Sequence, residues 1–197
     1  MLRTALRTIT QISPVDGRYA KATEPLSPYF SESALIRHRL EIEVRWFIHL
    51  SNHGILKTGG NEIRLTPGET ETLEGLYKNF TLDDANWVKE KERETNHDLK
   101  AVEYFVKSRL TGNLKDYSEF FHILCTSEDI NNLSWSLMIS KALSNAMLPR
   151  LIEVHNSLDN LAKNHAHDAM ISRTHGQVAT PTTLGKEMAN FDFRLLR

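Results

Sequence analysis

The amino-acid sequence predicts an all-α fold, and three observations carry that expectation. Apolar residues recur at helical spacing, helix-starting signals stand ahead of those stretches, and the later half holds a seam stepping by four and three residues. From Ser31 to His53 the recurring residues are Leu35, Ile36, Leu40, Val44, Phe47, Ile48 and Leu50, and Gly54 is placed to stop the run. Gly59, Gly60 and Asn61 mark a loop. Thr66-Pro67-Gly68-Glu69 reads as a capping box with proline at the first helical position. Thr81 followed by Asp84 is a related signal for a helix through Glu94. Leu99, Val102, Val106 and Leu110 then form a stripe, with Lys100, Glu103, Lys107 and Arg109 off it, and Gly112-Asn113 ends that helix. A soft domain boundary is placed here, dividing 1–113 from 114–197.

The second part reads as bundle material. Met147, Leu151, Val154, Leu158 and Leu161 form a coiled-coil-like seam, and Ile130, Leu133, Leu137 and Leu143 extend an apolar face back to about Ser127. Pro149 predicts a kink inside this element of about 40 residues, roughly 60 Å long. Thr180-Pro181 is read as opening a last helix, with Leu184, Met188, Phe191 and Leu195 as its stripe. That stripe runs to Arg197 without a terminating signal, which, with the unpartnered seam, predicts a piece of a longer polypeptide.

Composition narrows the function classes. The 197 residues carry 24 Lys plus Arg against 25 Asp plus Glu, a balance without the basic footprint of a nucleic-acid binder. A single cysteine, Cys125, excludes an intramolecular disulfide and a zinc site built of cysteines. No apolar run approaches the roughly 18 to 20 residues of a membrane span. Met1 to Thr10 carries Arg3 and Arg7 but no continuous apolar stretch, so no secretory signal is read there. The expectation is a soluble, cytoplasmic protein.

Four segments interrupt the helical pattern with residues able to bind anions or move protons. In Ser13-Pro14-Val15-Asp16-Gly17-Arg18-Tyr19, Arg18 suits a phosphate or carboxylate and Tyr19 offers a hydroxyl; a plain surface turn is the preferred local reading. Thr95-Asn96-His97-Asp98 stands at a helix N-terminus, where free N–H groups and the positive dipole end favour an anion, although Asn96 or Asp98 serves equally as an ordinary cap. Thr126-Ser127-Glu128-Asp129 repeats that choice between carboxylate site and N-cap; the following Asn131 and Asn132, modest helix formers, are less easily explained by capping. Ser172 to Gln177 is read as a polar loop between helices, and its His175 suits proton transfer near neutral pH. His165 and His167 fall on different helical faces, and no metal site is expected; His38, His49, His53 and His155 suit surfaces or satisfied packing, and so does His122, near the Thr126 loop.

Taken together these segments resemble the adenylosuccinate lyases of bacterial type, in the fumarase/aspartase superfamily. The resemblance rests on Ser13 to Tyr19, Thr95 to Tyr104 (TNHDLKAVEY), Thr126 to Leu133 (TSEDINNL) and Ser172 to Pro181 (SRTHGQVATP), with Gly185 to Asn190 (GKEMAN) following in order. Val178 departs from the pattern, which usually has proline after Gln177. The resemblance implies an N-terminal helical domain carrying substrate-binding segments, followed by the first long helices of a central bundle, truncated here. It also implies a homotetramer in the full-length protein, a small nucleotide substrate, no metal or organic cofactor, and no nucleic-acid or membrane partner.

The implied reaction is β-elimination of fumarate from adenylosuccinate, giving AMP, and from the succinylated carboxamide intermediate of purine synthesis. By the same resemblance His175 is the general acid, Arg18 and Tyr19 bind nucleotide, and Asn96, His97, Asp98, Thr126 and Ser127 hold substrate. The family's general base, a serine, lies on a Gly/Ser-rich loop that nothing here resembles, so the 197 residues alone are expected to be inactive. Two alternatives stand beside this reading: another fumarate-releasing lyase such as argininosuccinate lyase, and a non-catalytic helical module descended from the family.

Overall fold

Seven consecutive residues of one helix, His38 to Val44, are all buried, so every face of that helix is covered for two turns. This is α1, Glu32–Asn52, in a computed structural model that describes residues 12–197. The reading of Met1 to Thr10 falls outside the described residues. The chain divides into two compact units, Met1–Lys141 and Ala142–Arg197.

In the first unit, short helical turns from Ala20 to Phe30 lead into α1, which starts where Ser31 Oγ accepts the Ala34 N–H at 3.2 Å. Gly54, with φ of 66°, follows its C-cap. Strands β1 (Lys57–Thr58) and β2 (Asn61–Glu62) close a hairpin over Gly59 and Gly60, whose φ values of 55° and 83° suit the two-residue turn. Helices α2 (Pro67–Lys78) and α3 (Leu82–Thr95) both begin with complete capping boxes, Thr66 with Glu69 and Thr81 with Asp84. Helix α4 (Asp98–Arg109) is followed by three turns of 3-10 helix, Gly112–Phe120, and then by α5 (Ser127–Ala142). The core joins Leu40, Val44 and Phe47 of α1 to Leu73 of α2, Val88 of α3 and Phe105 of α4, with the Phe121 ring stacked on Phe47 at 4.3 Å. A smaller cluster sets Ile42 against Leu99 and Ile130.

Covering α1 on all sides buries its charges too, and each has a partner. Arg39 forms a 2.7 Å ion pair with Asp98 at the start of α4, and its Nε donates to Asn131 Oδ1 of α5 at 2.9 Å. Glu41 pairs with Lys141 at 2.8 Å, and Glu43 with His122 at 2.5 Å. Partial burial pushes the Asp98 carboxyl upward, but the Leu99 N–H and the Arg39 guanidinium outweigh it and hold the group below the usual carboxylate range.

In the second unit the helical backbone changes to a π-helical turn over Leu143–Met147, directly ahead of Pro149, and continues as α6 (Leu148–Asn164). The sequence predicts a kink at Pro149; the wider turn accommodates a residue that lacks an N–H and crowds the carbonyl of Asn145. The seam residues Met147, Leu151, Val154 and Leu161 lie exposed. A larger difference follows. Strands β3 (Ala169–Thr174) and β4 (Gln177–Thr183) pair as an antiparallel hairpin where sequence predicts a loop and a helix start at Thr180-Pro181. The β-branched Val178, Thr180, Thr182 and Thr183 favour pairing over helix, and α7 (Leu184–Leu195) begins only where Thr183 Oγ1 caps the Lys186 N–H. The fold class remains all-α, with small strand pairs. Gly185 lets α7 approach α6: a Cβ there would meet Ala162 O at 2.3 Å and the Ala166 backbone at 2.7 Å.

Two outcomes follow from this packing. Gly185→Ala forces backbone to move and should destabilise the α6–α7 pair by about 1–3 kcal/mol, read as faster hydrogen exchange in both helices. Asp98→Asn should cost about 1 kcal/mol near neutral pH. Because the folded pKa is depressed, that contribution is complete above the unfolded value near 3.9 and is lost as pH falls through the folded value. Denaturant titrations should therefore show a constant deficit from pH 8 to about 5 and a shrinking one below about 4.

Candidate functional site

The described chain has four non-glycine residues in left-handed backbone: Asn96, His122, Leu124 and His175. All four lie within, or within four residues of, the polar segments singled out from the sequence. Such backbone is uncommon outside glycine and persists where surroundings enforce it, often at functional positions.

Asn96 is the residue in which α3 ends, with φ of 50°. It turns the chain so that His97 caps α4: the His97 Nδ1 accepts the Lys100 N–H at 3.2 Å. A ring nitrogen that accepts carries no proton, so His97 in this role is neutral and carries its hydrogen on Nε2. His97 is half exposed, and Asn96, His97 and Asp98 line a cleft of about 520 Å³ with Lys89, Glu92 and Arg93. Lys89 is tied to Glu32 and Glu92, each at 2.7 Å.

Thr126 stands at the head of α5. Its N–H donates to Asp129 Oδ2 at 2.9 Å, while its carbonyl accepts the Asp129 N–H at 3.1 Å. Ser127 is the first helical residue. The neighbouring asparagines have defined partners: Asn131 and Asn132 donate to the Glu128 carboxylate at 3.3 and 3.1 Å, and Asn131 accepts from Arg39. Arg39 therefore touches both the first residue of α4 and the second turn of α5. Through it the structure brings together the segment of Asn96, His97 and Asp98 and the segment of Thr126 and Ser127.

Arg18 and Tyr19 lie exposed in a turn closed by the Tyr19 N–H to Pro14 O bond at 2.9 Å, with the guanidinium 5.6 Å from the Tyr19 ring centre. His175, in the second unit, occupies the two-residue turn of the β3–β4 hairpin with Gly176. Their φ values of 50° and 77° are those of a type I′ turn, flanked by the Thr174–Gln177 pair. The exposed imidazole is thus carried at a hairpin tip rather than in an unpaired loop.

Sequence reasoning missed Arg39, Glu43 and Asn131 as organising residues. The available signal was the run His38, Arg39, Glu41 and Glu43, which leaves α1 without a clean polar face. Among the other histidines, His38 is buried, donates from Nδ1 to Ala34 O at 2.7 Å and sits 3.4 Å from Lys141 Nζ; burial lowers its pKa. His155 bonds the buried Asp192 at 2.5 Å. Burial, with the Glu43 and Asp129 charges, pushes the Cys125 thiol up to about 11, so it is no ready nucleophile. No helix among the described residues is long and apolar enough to cross a membrane.

The family described as Lyase matches residues 17–196. Adenylosuccinate lyases of Legionella pneumophila (strain Corby), Haemophilus influenzae and Escherichia coli (strain K12) are 46%, 43% and 42% identical to 98% of this chain. The chain spans about 42% of the length of each. Among solved structures, a fumarate lyase from Mesorhizobium sp. BNC1 superposes with a TM-score of 0.68 at 22% identity, over 88% of this chain and 38% of that one. A β-carboxy-cis,cis-muconate cycloisomerase from Acinetobacter calcoaceticus sp. ADP1 gives 0.65 at 19%, over 87% and 38%. The helical architecture is shared with those enzymes, and by the match over residues 17–196 the chain belongs to the lyase family.

Proposed function

We propose that these residues form the substrate-holding part of an adenylosuccinate lyase, together with its general acid. The observation that carries the reading is that Asn96 and His175, each in a segment that resembles the family's site, are both non-glycine residues in left-handed backbone. The similarity to named adenylosuccinate lyases over nearly the whole chain supports the same assignment. The domain division, 1–113 carrying substrate segments and 114–197 opening a central bundle, belongs to this proposal. So do the homotetramer, the cytoplasmic location and the absence of cofactor, nucleic-acid and membrane partners.

In this reading the exposed Arg18 meets the nucleotide's phosphate and Tyr19 packs beside it. The α5 N-terminus, with Thr126 and Ser127, offers hydroxyls and dipole-oriented N–H groups to a succinyl carboxylate. His97 presents its Nε2–H as a donor, held in that tautomer by its capping bond, with Asn96 and Asp98 shaping the cleft. Elimination breaks the bond between the succinyl carbon and nitrogen. A base takes the neighbouring carbon's proton, that electron pair becomes the fumarate double bond, and protonated His175 gives its proton to the departing nitrogen. The base is the family's loop serine, so the 197 residues alone should release no fumarate above background.

The test joins residues 1–197 to the remaining portion of the Legionella pneumophila relative and follows fumarate release from adenylosuccinate. Turnover by the chimera supports the reading. A folded tetrameric chimera without turnover contradicts it. In the active chimera, His175→Ala should lower kcat by about 10²–10⁴-fold with KM little changed, whereas an unchanged kcat would remove His175 from the acid's role.

A further inference from the structure

A second cluster of reactive side chains lies ahead of Thr126, apart from the residues assigned to substrate. Glu43 of α1 meets His122 and Cys125 from the segment joining the 3-10 helix to α5. Glu43 Oε1 is 2.5 Å from His122 Nδ1, and Cys125 Sγ is 3.7 Å from the same nitrogen. One ligand atom from each residue lies within 4.8 Å of the other two. The Glu43 side chain is 1% exposed, and its Oε2 is the one buried side-chain N or O atom among the described residues without a hydrogen-bond partner.

A carboxylate–imidazole pair accounts for only part of this arrangement. A buried carboxylate oxygen left without a donor costs about 1–3 kcal/mol and calls for an explanation. The cluster presents a carboxylate, an imidazole and a thiol side by side, donors that suit a borderline-soft ion rather than magnesium or calcium. His122 and Cys125 are partly exposed, which leaves a route of entry from solvent.

We propose that Glu43, His122 and Cys125 bind one divalent transition-metal ion of the zinc class. Tetrahedral zinc with ordinary bond lengths separates sulfur from nitrogen by about 3.6 Å and nitrogen from carboxylate oxygen by about 3.3 Å. The observed 3.7 Å between Cys125 and His122 already matches the first. The Glu43–His122 contact must open by less than about 1 Å to reach the second, as the ion replaces the proton shared between them. Binding forms metal–oxygen, metal–nitrogen and metal–sulfur bonds and releases the thiol proton, while the proton between Glu43 and His122 leaves Nδ1, for Nε2 or for solvent, so that Nδ1 can ligate. Water completes the coordination. The ion would fasten the left-handed turn at His122 and Leu124 to α1, just ahead of the α5 N-terminus. It takes no part in the elimination. Sequence spacing could not show the site, because Glu43 precedes His122 by 79 residues.

The experiment titrates Co²⁺ alone into the chelator-treated 197-residue chain and reads absorbance and proton release. One equivalent should bind with a thiolate-to-cobalt charge-transfer band and release at least the thiol proton, and excess Zn²⁺ should abolish the band. Cys125→Ser, with an unchanged circular dichroism spectrum, should lose the band and bind at least about 10-fold more weakly. Glu43→Gln should weaken binding as well, while His165→Ala, on a surface pair remote in sequence, should not. Absence of the band, or equal affinity in Cys125→Ser and the unsubstituted chain, would overturn the proposal.

Discussion

The first unit depends on the burial of a charged stretch of α1. Two turns of this helix have no solvent-facing side, yet they carry Arg39, Glu41 and Glu43. A buried charge without a partner costs several kcal/mol, so each must meet an opposite group in a fixed place. The partners come from three later parts of the chain: Asp98 at the head of α4, His122 in the segment before α5, and Asn131 and Lys141 on α5. Apolar packing alone would tolerate sliding between helices. The polar pairs do not, because a shift of one residue turns each charge away from its partner.

That constraint also explains why two polar segments distant in sequence share one region. Asp98 follows the capping His97, accepts the Leu99 N–H at 2.8 Å and is anchored by Arg39. The start of α5 is held from the same guanidinium through Asn131. The two helix N-termini are positioned by a residue that belongs to neither, and Arg39 is the economical choice because its planar guanidinium can meet a carboxylate and an amide oxygen together.

What the sequence made legible follows the range of the interaction. The capping boxes at Thr66 and Thr81, the stop at Gly54 and the boundaries of α3 and α4 are local, and each appears within a residue or two of its expected place. The β3–β4 hairpin was missed although its signals are also local: the β-branched Val178, Thr180, Thr182 and Thr183, and a His175-Gly176 turn. Pro181 drew attention as a helix opener, while strand pairing opposite Ile171 prevailed. The candidate site shows the same division. Its polar segments stand out individually, but Arg39–Asn131, Glu43–His122 and Glu41–Lys141 join residues 92, 79 and 100 positions apart, and no periodicity reports such pairs.

The central claim is that the buried charges of α1 specify where the two helix N-termini sit, more than they add to overall stability. Removing one partner of a fully buried ion pair is strongly destabilising, but the Asp98 side chain is 44% exposed, so water can solvate the carboxylate that Arg39→Met leaves behind. Hydrogen exchange on Arg39→Met tests the claim directly. The account predicts little change in global stability but faster exchange of the first-turn amides of α4 and α5, with α2 unaffected. Uniform acceleration across all helices, or unchanged protection at Leu99, Lys100, Asp129 and Ile130, would contradict it.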